Sequence, residues 1–197
     1  TAADPGMTEI ARVESAPIAE IVRYTTQVSE NTISEVLGRL VAVERGLPGS
    51  FDGATTAVVA QVATDGVNVT GVDLHDCSGL SAGSLISARA LVDAMILAAS
   101  DGGQELLPTL VDLPVGGWTG TLNDRFTSGP GNGTVRAKTG SLPGVTSLAG
   151  TVLTRDGRLL AFAVLADETG ATGQGGPRGA IDEWAQQLAG CGCTSGA

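Results

Sequence analysis

Apolar positions recur at helical spacing in several stretches of this chain. Between residues 31 and 45 they share one face of a predicted helix, and the Gly-Leu-Pro sequence at residues 46–48 is expected to end it. The same spacing predicts helices that begin with Asp52 and with Ser87 as N-caps, because short polar side chains accept hydrogen bonds from the first free amides. A final amphipathic helix ending at Gly190 carries the apolar residues Ile181, Trp184, Ala185 and Leu188.

Three apolar runs that follow a glycine-rich stretch are predicted to be strands, at residues 134–138, 145–154 and 158–166. Asp156 and Gly157 predict a two-residue hairpin between the last two, because both central positions of a type I′ turn need positive φ. These two runs are apolar almost without alternation, which predicts that helices cover both faces of the sheet.

Weaker patterns complete the prediction. Residues 67–69 and 72–74 are predicted to be short strands, an alternation near Ile10 and Val13 an edge strand, and the Gly/Thr-rich residues 170–179 a flexible loop. No internal repeat or linker divides the chain. We therefore expect one α+β domain with a three-layer α/β/α arrangement, in which helices flank an antiparallel sheet.

Composition narrows the class of protein. A chain of 197 residues with 42% hydrophobic and 16% charged content can bury a substantial core. A net charge of −10 and 3% aromatic residues argue against a nucleic-acid partner. No apolar run reaches the roughly 18 to 20 residues of a membrane span, and no leader opens the chain, so no transmembrane segment is expected.

The three cysteines do not form a zinc pattern. The chain has only one histidine, and its cysteines Cys77, Cys191 and Cys193 form no C-x-x-C pair. Neither a metal nor a cofactor is therefore expected. Cys191 and Cys193 would close only a very small ring, which disfavours a bridge between them. A free thiol and a disulfide to something outside this chain both stay open.

Two short motifs carry candidate chemistry. Ser29-Glu30-Asn31 opens a predicted helix, and Lys138-Thr139-Gly140 ends a predicted strand. Taken alone, Ser29 is equally well explained as a helix N-cap and Lys138 as a solvated strand end. The chain has ten arginines and one lysine, so Lys138 is the only lysine ammonium available for chemistry.

In this order, the motifs resemble the second and third signatures of penicillin-binding proteins and class A β-lactamases. The longer strings resemble the class C penicillin-binding proteins, which are D-alanyl-D-alanine carboxypeptidases and endopeptidases of peptidoglycan. Two positions depart from that pattern: Glu30 replaces the more usual Asp, and Cys77 stands where Gly is commoner. The strings are SAPI at residues 15–18, DCSGLS at 76–81, LPVGG at 113–117, GTL at 120–122, RAKTGSL at 136–142, GV at 144–145 and LAG at 148–150.

The first signature of that family, Ser-x-x-Lys, is absent because the residue three positions before Lys138 is Val135. The resemblance implies that this motif lies far upstream, beyond large inserted domains. Residues 1–197 are therefore expected to be the C-terminal half of the peptidase domain. The N-terminal half, which would carry the nucleophile, is the expected partner, either in the same polypeptide or as a separate chain. Cys191 or Cys193 is expected to form a disulfide with it.

The implied chemistry is acyl transfer, in which a serine attacks D-Ala-D-Ala, releases the terminal D-Ala and leaves an acyl-enzyme for hydrolysis. Three residues receive catalytic roles by resemblance. Ser29 would relay a proton toward the departing amine, since a hydroxyl both accepts and donates. Asn31 would hold the substrate peptide, and Lys138 would supply positive charge beside Ser29.

Three further residues are implied to bind substrate. Thr139 offers a hydroxyl to the substrate carboxylate, and Gly140 lets the substrate approach the strand edge as an added strand would. The backbone N–H of Ser141 would be one of two oxyanion-hole donors. The implied ligands are peptidoglycan stem peptides and β-lactams, and the implied location is outside the cytoplasm.

Alternatives remain at this stage. A β-lactamase-like serine hydrolase would share both motifs, and the isolated chain would also fit a non-catalytic peptidoglycan-binding fragment. Carboxypeptidase and endopeptidase preference are not distinguished. The Asp76, Ser78 and Ser81 run is interpreted as turn chemistry and His75 as a surface residue, while Trp118 fits a cleft-lining and a packing role equally.

Overall fold

A computed structural model of the chain describes residues 6–8, 10–170 and 175–192. Within these ranges the chain forms helices on either side of a three-stranded sheet. The helices are α1 (Ile18–Val28), α2 (Asn31–Glu44), α3 (Phe51–Thr64), α4 (Ala88–Ala99), α5 (Leu107–Val111) and α6 (Gly175–Gly190), with 3-10 turns at Asp101–Gly103 and Gly120–Leu122. The strands are β1 (Val135–Leu142), β2 (Val145–Leu153) and β3 (Leu159–Ala166).

The sheet is antiparallel with the order β1-β2-β3, which confirms the predicted fold class. One face packs on α6 through a buried cluster that includes Val135, Leu148, Phe162, Ile181 and Ala185. Helix α4 contacts β3 and β2 but contributes no residue to this cluster, so it covers the sheet from the other side. The predicted cover on both faces is therefore present.

The β2–β3 hairpin forms where it was predicted, but its turn type was wrong. Gly157 has φ +83°, whereas Asp156 is not among the residues with positive φ, so a type I′ turn is not formed. The Gly157 amide donates to Thr154 O at 2.9 Å, and the Thr154 amide donates to Arg158 O at 2.9 Å. The connection from Leu153 to Leu159 is therefore longer than two residues, and Gly157 is its only position with positive φ.

Two helix starts differ from the prediction. Helix α3 is capped by Ser50, whose side chain accepts from the Gly53 amide at 3.0 Å, and Asp52 lies in the first turn. Ser29 is not an N-cap: it ends helix α1, which was not predicted, and Glu30 caps α2. Helix α1 carries Ile18, Ile21, Val22 and Val28 at helical spacing, so the apolar periodicity was present in the sequence and was missed.

Three weaker predictions were wrong. Residues 67–69 and 72–74 form no strand, and the only pairing there is an isolated bridge between Asp73 and Leu85. Ile10 and Val13 lie in no strand and are 98% and 95% exposed. Helix α6 already begins at Gly175, inside the predicted loop, and residues 171–174 lie outside the described residues.

The outer edge of β3 borders an apolar groove. No described strand pairs with this edge. The groove holds about 560 Å³ between α4 and α6, and it leaves Ile96, Leu159 and Trp184 between 42% and 58% exposed. Its lining is Val92, Ile96, Leu159, Leu160, Ala161, Phe162, Ala163, Trp184 and Leu188.

The cysteines behave differently from one another. Cys191 is disulfide-bonded in this chain, so the expectation that it bridges to an absent half was wrong for this residue. Cys193 lies outside the described residues. Cys77 is a free thiol whose pKa is raised, first by burial and then by the neighbouring Glu35 and Asp76 carboxylates.

None of the helices in the described ranges combines the length and the apolar character needed to cross a membrane.

Candidate active site

The corner between α1 and α2 presents Ser29. Its backbone adopts the left-handed conformation, with φ 58° and ψ 54°, and its amide donates to Thr25 O. The next residue, Glu30, caps α2 by accepting a hydrogen bond from the Ile33 amide at 2.8 Å. Only two residues therefore join the helices, and this tight corner carries the Ser29 hydroxyl.

Strand β1 brings Lys138 to this corner. Lys138 Nζ donates to Ser29 Oγ at 2.6 Å and to Thr139 O at 2.9 Å, although Lys138 and Ser29 lie 109 positions apart. The strand continues to Leu142, so the Lys-Thr-Gly motif lies inside β1 rather than at its end as predicted. Lys138 is therefore a cross-linking side chain between the helical layer and the sheet.

Burial weakens the hold of Lys138 on its proton. It lowers the pKa of the Lys138 ammonium below the ordinary value of 10.5, because the charged form loses solvation. Ser29 Oγ accepts from Lys138, so its own proton is directed to another acceptor. The pair can therefore pass a proton through the serine hydroxyl, with the lysine as its source.

Thr121 belongs to the site, although no role was predicted for it. The Thr139 hydroxyl donates to Thr121 Oγ1 at 3.1 Å. The turn that holds Thr121 packs on the end of α1, where a Cβ at Gly120 would lie 2.5 Å from Gln27 O and the glycine has φ +55°. The Gly-Thr-Leu string was recognised in sequence, but only this close approach explains its glycine.

The remaining predicted residues lie on the same elements. Asn31 is the first residue of α2 and is half-buried. Ser141 pairs with Thr146 across the sheet. A Cβ at Gly140 would fall 2.2 Å from Ser147 Oγ, so the neighbouring strand also favours glycine at this position.

Asp76 anchors a loop near α2. Its buried carboxylate accepts from the Ser78 hydroxyl at 2.8 Å, the Leu80 and Ser81 amides at 2.6 Å and 3.0 Å, and the Ser84 hydroxyl at 3.0 Å. Burial alone raises the pKa of Asp76, but these hydrogen bonds outweigh it and hold the pKa below its ordinary value. The structural interpretation of this run agrees with these contacts.

Two other candidates lie on the surface. His75 is exposed, with Nε2 at 3.6 Å from Asp73 Oδ2. Trp118 is 69% exposed, and its indole N–H donates to Asn132 Oδ1 at 3.1 Å, so a packing role does not describe it. Among the residues that the structure describes, no group of three or more His, Cys, Asp or Glu side chains is arranged to hold a metal ion.

Fold and site together define a penicillin-binding-protein type of domain, and comparison with known proteins gives the family. Residues 2–188 match the D-Ala-D-Ala carboxypeptidase 3 (S13) family. The chain therefore belongs to this family. The resemblance inferred from the two motifs is confirmed.

Relatives and solved structures agree with this assignment. The chain is 42% identical to carboxypeptidase DacB of Mycolicibacterium smegmatis over 95% of its own length, and 40% identical to carboxypeptidase Rv3627c of Mycobacterium tuberculosis over 98%. It superposes on penicillin-binding protein 4 of Haemophilus influenzae, crystallised with a β-lactam, with a TM-score of 0.77 at 28% identity. That similarity covers 87% of this chain and 40% of the crystallised one.

The chain is much shorter than these proteins. It spans 41% of the M. smegmatis relative and 42% of the M. tuberculosis relative.

The lowered pKa of Lys138 predicts a specific pH dependence. Between that pKa and 10.5 the unfolded chain binds more protons than the folded one, so stability rises with pH across this window. The free energy of unfolding of the intact protein, relative to Lys138→Met, should rise with pH and level off above 10.5. Denaturant titrations from about pH 7 to about pH 11 measure it, and a difference that stays flat would contradict burial of the ammonium.

Proposed function

We propose that this chain is part of a serine-type D-Ala-D-Ala carboxypeptidase that acts on peptidoglycan stem peptides through an acyl-enzyme and also binds penicillin. The observation that carries the proposal is the 2.6 Å contact between Lys138 Nζ and Ser29 Oγ, which joins the two motifs of the family in one site. Membership of the S13 family supports the substrate class.

In this proposal Ser29 and Lys138 transfer a proton to the leaving group. The lysine donates to the serine oxygen, and the serine proton moves to the amine of the departing D-Ala. The lowered pKa of Lys138 makes its proton easier to transfer than that of a solvated lysine. Until that transfer, the ammonium charge stabilises the negative charge that develops near the reacting carbonyl.

Neighbouring residues bind the substrate. The Asn31 amide, one residue beyond the corner, holds the substrate peptide. The Thr139 hydroxyl, which donates to Thr121 Oγ1 here, turns its proton to the substrate carboxylate when substrate binds. Gly140 and Ser141 lie in β1, which presents an edge for an extended peptide. The Ser141 amide supplies one oxyanion-hole donor, and loss of such a donor costs on the order of a hundredfold or more in rate.

The nucleophile belongs to a part of the protein outside this chain. Lys138 is the only lysine, and Val135 stands three residues before it, so no Ser-x-x-Lys motif exists here. The chain covers about two fifths of its relatives' length, 41% for the M. smegmatis protein, which leaves room for a nucleophile-bearing half. Residues 1–197 are thus the C-terminal half of the peptidase domain.

The location follows from the substrate. Peptidoglycan lies outside the cytoplasm, so the assembled enzyme acts there, in the periplasm, the cell wall or the medium. Its β-lactam ligands follow from the same site, since penicillin acylates the serine that attacks D-Ala-D-Ala. The H. influenzae structure with a bound β-lactam supports this assignment.

We expect Lys138→Ala to slow acylation of the full-length protein by fluorescent penicillin about a hundredfold or more, because the proton relay is lost. Arg89→Ala is the matched control, since it removes a positive charge from an exposed side chain on α4. Its acylation rate should equal that of the wild type, and circular dichroism should show both variants folded. A wild-type rate for Lys138→Ala would exclude a catalytic role.

The isolated chain should not persist as a soluble monomer. The groove along β3 leaves apolar side chains exposed, and the missing half would cover them. At about 25 cal/mol per Å², several hundred Å² of such surface is worth on the order of 10 kcal/mol, comparable to the stability of a whole domain. Expression of residues 1–197 alone tests this. A monomer with cooperative thermal unfolding would contradict it.

A further inference from the structure

Two carboxylates bind the loop of residues 76–84, one from within the loop and one from helix α2. Asp76 binds the loop internally, as described above, whereas Glu35 binds it from the helix. Glu35 Oε1 accepts from the Cys77 and Ser78 amides, each at 2.9 Å, across 42 and 43 positions of sequence. These two hydrogen bonds therefore fix where the loop stands relative to α2.

Glu35 is an unusual residue to find in this position. Its side chain is only 12% exposed, and its second oxygen is buried with no hydrogen-bond donor, the nearest cation being the Arg39 guanidinium at 3.8 Å. A buried carboxylate is costly unless hydrogen bonds compensate it. The two loop amides supply the hydrogen bonds and Arg39 supplies the opposite charge, and the amides tie this residue to the loop.

The position of Glu35 links the loop to the proposed site. It lies one helical turn after Asn31, so both side chains are on the same face of α2. Asn31, Glu35, Ser78, Leu80 and Ser81 all line one cavity of about 650 Å³. Leu80 is 57% exposed at this cavity, in a loop whose own amides are held by carboxylates. The loop therefore forms a fixed wall beside Asn31.

We propose that Glu35 is a positioning residue for the peptide substrate: it holds the loop of residues 76–84 so that the cavity beside Asn31 fits the part of the stem peptide that extends beyond the reacting bond. The inference rests on the proposed function. A peptide that reaches into the cavity needs the wall in place, whereas a small β-lactam needs mainly Ser29, Asn31 and Lys138.

The experiment compares two substrates on the full-length protein. The readout is kcat/KM for a stem pentapeptide ending in D-Ala-D-Ala, divided by the second-order rate of acylation by benzylpenicillin, both per acylatable enzyme. This ratio cancels any loss of folded protein, so a merely structural role would not change it. Glu35→Ala removes the acceptor oxygen. Glu35→Asp shortens the side chain by one methylene and so moves the acceptor away from the loop amides, while Glu35→Gln keeps a carbonyl oxygen at the original position.

We expect Glu35→Ala and Glu35→Asp to lower the ratio about tenfold or more, in line with the loss of hydrogen bonds to a charged acceptor. Glu35→Gln should restore it to within about threefold, because a neutral acceptor is weaker but correctly placed. Glu44→Ala, at the exposed end of α2, is the control and should leave the ratio unchanged. If Glu35→Ala does not fold, the Asp and Gln pair decides.

Three results would overturn the inference: a wild-type ratio in both Glu35→Ala and Glu35→Asp, an equal loss of both reactions, or no rescue by Glu35→Gln. A failure of the proposed function looks different. In that case the wild-type protein itself is not acylated by penicillin and does not cleave the peptide, whatever stands at residue 35.

Discussion

A lysine ammonium removed from water must find acceptors, and in this chain that requirement joins the two layers of the fold. Lys138 meets it with Ser29 Oγ and Thr139 O. Because the serine lies at the corner between α1 and α2 and the lysine inside β1, their contact fixes the helices against the sheet where both motifs meet. The same burial lowers the pKa of Lys138, so packing and proton transfer have one cause.

Beyond the corner between α1 and α2, carboxylates hold the loop that lies beside the proposed site. Helix α2 carries Asn31 at its start and Glu35 one turn later, and the Asp76 loop is bound to that second residue. Glu35 and Asp76 together accept hydrogen bonds from four backbone amides of this loop. A site built in this way is rigid before substrate arrives, which reduces the entropy lost on binding. The open edge of β3, in contrast, exposes apolar surface suited to protein contact.

Local patterns predicted the parts of this structure that local physics determines. The strands around the Asp-Gly turn followed from continuous apolar runs, and helices α2, α4 and α6 from apolar periodicity. The ordered motifs identified the family. Helix α1 was missed although its apolar residues recur at helical spacing, and the cap of α3 was assigned to Asp52 because both it and Ser50 are good caps. Contacts across more than a hundred positions, such as Lys138 to Ser29, were expected only by resemblance. The role of Thr121 depends on its contact with Thr139, 18 positions away, and was not expected.

In the enzyme that we propose, this chain completes an active site whose nucleophile lies elsewhere in the protein. The most direct test is to acylate the full-length enzyme with penicillin, digest it and locate the penicilloyl group by tandem mass spectrometry. We expect one modified serine, in a Ser-x-x-Lys sequence outside residues 1–197, with Ser29 and Ser141 unmodified. A penicilloyl group on any serine of residues 1–197 would contradict it.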